Sequence, residues 1–172
     1  MKQWVLEQTT RTWYLISAGF CVLMLGTAMV MQHGFGLEPC PLCIFQRIAV
    51  LVALIFLVIG AVHNPRGKAG AIYGGLGLVS ILVGIGIAAR HTWLQTLPPD
   101  QVPTCGPGLD YMLEVLPLWN VISQVLSGSG ECAEVSFRWL GMTLPAWTLI
   151  GFCVLAVLII TAMVRSVRAP AH

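Results

Sequence analysis

The sequence predicts an all-α membrane protein, a bundle of four transmembrane helices. Hydrophobic residues make up 57% of the 172 residues and charged residues only 9%, whereas a soluble domain carries about 25% charged residues. Four long runs are almost free of charge and have the length of a membrane span. Most charges and most cysteines lie between these runs. We therefore expect a single integral membrane domain over residues 1–172, and no cluster of basic residues suggests nucleic acid binding.

The four apolar runs define the predicted spans. The first would form about 29 Å of helix, close to the thickness of the hydrocarbon core. It is too long for the apolar region of a typical signal peptide, and no clear cleavage site follows it. The third run is rich in glycine, which lets membrane helices approach closely. The predicted spans are about 13–31, 44–62, 71–89 and 145–164.

The distribution of charge predicts the orientation. Most basic residues lie in the N-terminal segment, in the turn between the second and third runs and in the C-terminal tail. Most acidic residues lie in the other two connections. The positive-inside rule then places both termini in the cytoplasm. Segments 32–43 and 90–144 become outer loops, where disulfide bonds can persist.

One segment of the second outer loop has helical periodicity. Apolar residues recur three or four positions apart, with polar residues between them. The pattern predicts a short amphipathic helix over 110–126, kinked near Pro117. The helix either lies on the membrane surface or packs on the protein as an ordinary loop helix, and the pattern fits both.

The cysteines divide by position into two groups. Cys21 and Cys153 lie within apolar runs, where cysteine behaves as a small buried hydrophobe, so we assign them no chemistry. Cys40 and Cys43 form a Cys-x-x-Cys motif at the start of the second run. The N-terminus of a helix favours a thiolate there, and the thiolate is the species that attacks disulfides.

The second outer loop holds the other pair, Cys105 and Cys132, flanked by turn-forming residues. Their wide spacing fits a loop-closing disulfide better than the second half of a tetrahedral zinc site, which usually has two short-spaced ligand pairs. Flexible flanks suit a sulfur that must meet another protein or another cysteine, although a static disulfide fits the same residues. Redox chemistry is therefore favoured over metal binding, and we predict no metal site.

Two further residues are expected near the Cys-x-x-Cys motif. Arg47 follows Cys43 by one helical turn on the same face, where its charge can favour the thiolate or bind an electron-rich ligand. Alternatively, Arg47 extends to the membrane surface, because a charge within an apolar span is costly. His91 is expected to close the third helix at the same depth, where it could pass a proton or bond a carbonyl oxygen. A lone histidine there would otherwise be an interface residue, and the convergence of the three favours function.

These features together resemble the disulfide bond formation protein B (DsbB) family of bacterial inner membranes. The resemblance covers nearly the whole chain and implies a quinone-dependent oxidase of a periplasmic dithiol protein similar to DsbA. Family members also use a surface helix in the second outer loop, which matches 110–126. The strongest matching segments are Glu38-Pro39-Cys40-Pro41-Leu42-Cys43, Arg47, Arg90-His91-Thr92, Gly130-Glu131-Cys132-Ala133-Glu134 and Leu140-Gly141-Met142-Thr143-Leu144-Pro145-Ala146-Trp147.

The resemblance also implies a path for the electrons. The reduced partner would attack the Cys105–Cys132 disulfide at Cys105, and Cys132 would then exchange with Cys40. Cys43, released as a thiolate, would pass electrons to a membrane quinone, either ubiquinone or menaquinone. The quinone would bind near Arg47 and His91.

Three other functions remain as alternatives. The chain could be a paralogous oxidase dedicated to another partner. It could be a quinone-reducing enzyme of the vitamin K epoxide reductase type, which is disfavoured because that family carries its Cys-x-x-Cys at the last helices of the bundle. It could also be a structural or metal-binding membrane protein with static disulfides.

Overall fold

The structure is a computed structural model and describes residues 10–63, 68–98, 100–102, 109–135 and 137–168. Four of the helices in these ranges are long and apolar enough to cross a membrane. The short elements lie in the chain between the third and the fourth of these helices. In chain order the elements are α1 (Thr10–Gly34), α2 (Pro41–His63), α3 (Lys68–Leu94), α4 (Leu109–Val115), α5 (Leu118–Ser127), α6 (Gly130–Ala133), β1 (Arg138–Trp139), β2 (Met142–Thr143) and α7 (Leu144–Arg168).

The predicted bundle of four long helices is confirmed. Each apolar run lies inside one helix, and each helix extends past its run at both ends. The largest difference is at the end of α3, where His91 was expected to close the helix. The helix instead continues to Leu94, whose fully buried side chain packs in an apolar cluster. His91 therefore lies inside the last turns of α3, and its side chain is only 3% exposed.

The four long helices close into a ring. α1 packs on α2 and α7, and α3 packs on the same two helices. The centre of the ring is filled by fully buried side chains from all four helices, which form one core cluster. The largest of them include Tyr14, Leu57, Ile81, Phe152 and Ile159.

Glycines of α3 allow close contact with α7, as the sequence predicted. A Cβ atom on Gly74 would overlap the side chain of Met163, and a Cβ atom on Gly84 would overlap the ring of Phe152. Gly86 differs, because nothing lies within 4 Å of the Cβ position there. Small residues thus bring α3 and α7 together where they face each other.

One end of the bundle carries the short elements, and we call it the cysteine end. There α1 and α3 finish, and α2 and α7 begin. The single kinked helix predicted over 110–126 is two helices, α4 and α5. They are separated at Pro117, which has no N–H to donate and holds an extended ψ of 143°. Its carbonyl oxygen instead accepts hydrogen bonds at the start of α5, from the backbone N–H groups of Asn120 and Val121.

The pair α4 and α5 is amphipathic in its packing. Met112, Val121 and Val125 are buried against the bundle in a cluster that includes Leu42 and Leu94. The opposite face exposes large apolar side chains, among them Leu113, Leu118 and Trp119. The inner face therefore packs on the protein, and the outer face has the composition expected at a membrane surface.

A short hairpin before α7 was missed by the sequence analysis, which treated the segment as loop. Arg138 pairs with Thr143, and Trp139 pairs with Met142. The turn between them uses positive φ angles at Leu140 (51°) and Gly141 (80°), a turn type that favours glycine. The hairpin leads directly into α7 at the cysteine end.

Candidate functional site

The Cys-x-x-Cys motif forms the N-terminus of α2. Pro41 is the first helical residue, where its fixed φ suits the helix and its missing N–H costs nothing. The carbonyl oxygen of Cys40 accepts the backbone N–H of Ile44 at 3.2 Å. The Cys40 thiol donates a hydrogen bond to the Cys43 sulfur over 3.1 Å, well beyond the ~2.05 Å of a disulfide bond. The two sulfurs are therefore a dithiol in contact.

His91 of α3 lies against both sulfurs. Its Nε2 is 3.7 Å from Sγ of Cys40, and its Nδ1 is 3.9 Å from Sγ of Cys43. The amide nitrogen of Gln46 lies 3.3 Å from the same Nδ1. Gln46 is itself buried, so its amide fixes the imidazole ring beside the thiols.

Cys132 of α6 adds a third sulfur. Its side chain is only 1% exposed, and it belongs to a buried cluster against which Cys40 packs. The neighbouring Cys40 side chain, and to a smaller extent burial, raise the pKa of the Cys132 thiol, because both favour its protonated form. The hydroxyl of Ser129 lies 3.6 Å from the Cys132 sulfur. Cys132 thus lies next to the Cys40–Cys43 pair, on the side of Cys40.

Cys105 lies in segment 103–108, outside the described residues. Its predicted pairing with Cys132 therefore stays a prediction. Within the described part of the chain, Cys21 is buried in the core, and Cys153 is exposed on α7.

Arg47 of α2 is held by the neighbouring helix α1. Its Nη1 donates to the side-chain oxygen of Gln32, and its Nη2 donates to the carbonyl oxygen of Ala28 at 3.2 Å. Two directional hydrogen bonds fix the guanidinium between the helices. This differs from a side chain that extends freely to the membrane surface, the alternative considered from the sequence.

A cavity of about 310 Å³ lies between α1, α2, α3 and α7 at the cysteine end. Four of the five predicted site residues that the structure describes line this cavity, namely Cys40, Cys43, Arg47 and His91, and the fifth, Cys132, does not. The sequence predicted that Cys43, Arg47 and His91 converge, and the structure brings them together around one space.

The walls of the cavity differ along its depth. Apolar side chains such as Leu23, Met24 and Val50 form the part between the helices. Three exposed carboxylates of the outer segments, Glu38, Glu131 and Glu134, also line it. The cavity therefore joins an apolar interior to a charged, water-accessible rim.

Sequence reasoning missed Gln32 and Gln46 as site residues. Gln46 is buried in the first turns of α2, and Gln32 lies in a segment that was taken as a connector. One signal was present for Gln46, because an uncharged polar residue within an apolar run must find a hydrogen-bond partner in the bundle. Its partner His91 is too distant in sequence to be identified from spacing.

Comparison with known proteins identifies the family. The family model described as disulfide bond formation protein DsbB matches residues 10–162. The chain belongs to the DsbB family. A disulfide bond formation protein B of Chromohalobacter salexigens is 58% identical over 142 residues, which cover 82% of this chain and 83% of that protein. The Chromobacterium violaceum protein of the same name is 49% identical over 148 residues, covering 86% of this chain and 89% of the relative.

A third DsbB relative, from Acinetobacter baumannii, is 44% identical over 157 residues, covering 88% of this chain and 92% of that protein. Family membership and the four apolar helices establish a multi-pass membrane protein of disulfide bond formation. Its role is that of a disulfide oxidoreductase.

Proposed function

We propose that this DsbB family member is a quinone-dependent thiol oxidase of the bacterial inner membrane, and that it reoxidises a periplasmic dithiol protein similar to DsbA. The observation that carries the proposal is the cavity whose wall includes the Cys40–Cys43 dithiol, the Arg47 guanidinium and the His91 imidazole. A two-electron donor and two polar groups thus face one apolar space at the end of a membrane bundle.

The residues around the cavity fit the head group of a quinone. A volume of about 310 Å³ is at the lower end of the range for small-molecule pockets. Arg47 and His91 can donate hydrogen bonds to carbonyl oxygens, and Leu23, Met24 and Val50 offer apolar contact to a ring. A bound quinone would supply a lipid-soluble acceptor for two electrons and two protons.

The three adjacent sulfurs support an order of exchange. Because Cys132 is a neighbour of Cys40, Cys132 is positioned to attack the Cys40 side of a Cys40–Cys43 disulfide. That attack would form a Cys40–Cys132 bond and release Cys43 as a thiolate. Arg47 follows one turn later on the same helix, so its positive charge stabilises an anion at Cys43. Cys105, by the family resemblance, would receive the partner's thiol.

The protons also have a route in this geometry. Attack by Cys132 requires loss of its proton, and its raised pKa opposes that loss. His91 touches both sulfurs of the Cys-x-x-Cys pair, so its imidazole can hold or release a proton between them. Gln46 keeps the ring in that position.

A quinone acceptor also resolves an energetic problem. A DsbA-like partner is a strong oxidant, so an ordinary disulfide does not readily reoxidise it. A gap of order 100 mV opposes a two-electron transfer by roughly 5 kcal/mol. Removal of the electrons into the membrane overcomes this gap, and the DsbA–DsbB–quinone relay is already the known oxidising system of the bacterial periplasm.

Orientation follows from charge. The basic residues of the termini and of the connection between α2 and α3 favour the cytoplasmic side. The cysteine end then faces the periplasm, where a soluble dithiol protein has access to it.

The test is oxidation of a reduced DsbA-like protein by the purified protein in detergent, with and without added ubiquinone or menaquinone. We expect quinone-dependent oxidation, with about one quinol formed per dithiol oxidised. Oxidation of the DsbA-like protein at the same rate with and without quinone would contradict the proposal. Comparing several reduced periplasmic dithiol proteins by rate separates a general oxidase from a paralogue dedicated to one partner, and thiol counting under mild reductant identifies static disulfides.

A further inference from the structure

The dithiol and the imidazole at the cavity also form a set of metal ligands. The ligand atoms of Cys40, Cys43 and His91 all lie within 4.8 Å of one another. Thiolate and imidazole are the ligands that Zn²⁺ prefers in proteins. We propose that the reduced protein binds one Zn²⁺ ion at these three residues, and that the bound ion blocks oxidation of the dithiol.

The sulfur–nitrogen distance fits this ion, whereas the two sulfurs lie closer together than two zinc ligands do. With Zn–S bonds of about 2.3 Å and Zn–N bonds of about 2.0–2.1 Å, tetrahedral geometry puts two sulfurs about 3.8 Å apart and a sulfur and a nitrogen about 3.6 Å apart. The observed separations are 3.1 Å between the sulfurs and 3.7 Å from Cys40 Sγ to His91 Nε2. Small side-chain rotations are sufficient to place all three around an ion. Cys40, Cys43 and His91 all line the cavity, so a water molecule could supply the fourth ligand.

The surroundings of the cluster also favour a cation. Gln46 lies 3.3 Å from Nδ1 of His91, and with its amide group rotated by about 180° its oxygen would accept the Nδ1–H of an imidazole that binds the ion through Nε2. Three exposed carboxylates line the same cavity and attract a divalent cation from solvent. They are Glu38, Glu131 and Glu134.

The chemistry is a ligand exchange without electron transfer. Zn²⁺ replaces the protons of the Cys40 and Cys43 thiols, so two protons are released and two Zn–S bonds form. Neither sulfur is oxidised or reduced. Both are then occupied, and no disulfide can form between them until the ion leaves. Conversely, the Cys40–Cys43 disulfide has no thiolate to offer, so binding depends on the redox state of the pair.

This site does not depend on quinone reduction, so each can fail without the other. Zn²⁺ binding is measured by equilibrium dialysis of the full chain under anaerobic conditions, in the reduced and the oxidised states. The Cys105→Ser/Cys132→Ser background removes the other thiols of the outer loops. We expect one Zn²⁺ per reduced chain in that background, and at least about tenfold weaker binding after oxidation.

Variants distinguish Zn²⁺ binding at this cluster from binding at other thiols of the chain. Cys43→Ser and His91→Ala should each weaken binding at least about tenfold, whereas Cys153→Ser, on the exposed face of α7, should leave it unchanged. His91→Cys should retain Zn²⁺ binding, because cysteine is also a zinc ligand. Retained binding would show that a substitution at position 91 does not by itself unfold the protein. Arg47→Gln should tighten binding by about threefold, because it removes a positive charge near the ion. Equal binding by oxidised protein, or full binding by Cys43→Ser, would overturn the proposal.

Inhibition supplies an independent measurement. Zn²⁺ added to the reduced protein should slow oxidation of the Cys40–Cys43 pair by a small-molecule disulfide, and a chelator should restore the rate. Oxidation at an unchanged rate in saturating Zn²⁺ would contradict the blocking role.

Discussion

The Nη2 atom of Arg47 lies 3.2 Å from the carbonyl oxygen of Ala28, which ties α2 to α1 beside the cavity. The same guanidinium also binds the side chain of Gln32. A charge in a membrane span is costly unless it is paired or serves a site. Arg47 meets the first condition, since it is hydrogen-bonded to α1, and it also lines the cavity next to the dithiol.

Replacement of Arg47 by Ala should weaken the use of quinone. We expect KM for quinone to rise at least about tenfold, because a charge-assisted donor to a carbonyl oxygen is lost. Exchange among Cys40, Cys132 and the partner should continue, as seen by trapping of mixed disulfides. Arg47→Lys keeps the charge, so its KM for quinone should lie between that of the unaltered protein and that of Arg47→Ala. An unchanged KM in Arg47→Ala would mean that the guanidinium only joins the helices.

Gln46 is expected to act through His91. Gln46→Leu removes the amide that lies 3.3 Å from the imidazole, so the ring is no longer held against the sulfurs. We expect kcat to fall about tenfold and its pH dependence to change shape. The matched control is Gln124→Leu, on the exposed face of α5. A fall in stability with an unchanged pH profile would assign Gln46 a packing role alone.

The close contact of α3 with α7 at Gly84 can be tested by one methyl group. Gly84→Ala would place its Cβ in the Phe152 ring, and overpacking of this kind costs about 1–3 kcal/mol. Gly86→Ala is the control on the same helix, because nothing lies within 4 Å of its Cβ position. Chemical unfolding in detergent should show a lower free energy of unfolding for Gly84→Ala and an unchanged one for Gly86→Ala. Equal stability of the two variants would contradict the packing described for these helices.

The raised pKa of Cys132 predicts slow alkylation. A thiol reacts as its thiolate, and the neighbouring Cys40 side chain, together with burial, favours the protonated form of Cys132. In fully reduced protein, we expect alkylation of Cys132 at pH 8 to be at least about tenfold slower than that of an ordinary thiol. The pH profile of Cys132 alkylation should be displaced to higher pH. In Cys40→Ser the profile should return toward that of an ordinary thiol. A slow rate with an ordinary pH profile would indicate restricted access alone.

The sequence was sufficient to predict the long helices and most of the candidate site. The length of the apolar runs, the asymmetry of charge and the Cys-x-x-Cys spacing are all local signals. Arg47 could be placed beside Cys43, since one helical turn separates them. His91 could be placed near their depth by topology. Its burial and its contact with both sulfurs could not be read from the sequence, because they depend on how α3 packs against α2.

The outer segments were harder to predict. One periodic pattern over 110–126 became two helices, because Pro117 interrupts the hydrogen-bond ladder instead of bending it. Gln46 gave only the signal of a polar residue in an apolar run, and its partner is supplied by tertiary packing. The zinc alternative was weighed with Cys105 and Cys132 as ligands. The third ligand that completes the set, His91, is visible only in three dimensions.

The central claim is that electrons leave the protein from the Cys40–Cys43 pair to quinone. The most direct measurement is quinol formation by the Cys43→Ala variant with a reduced DsbA-like protein, with Cys153→Ala as the control. We expect no quinol from Cys43→Ala, while a mixed disulfide between the partner and Cys105 still accumulates, and full turnover from Cys153→Ala. Full quinone-coupled turnover by Cys43→Ala would contradict the account.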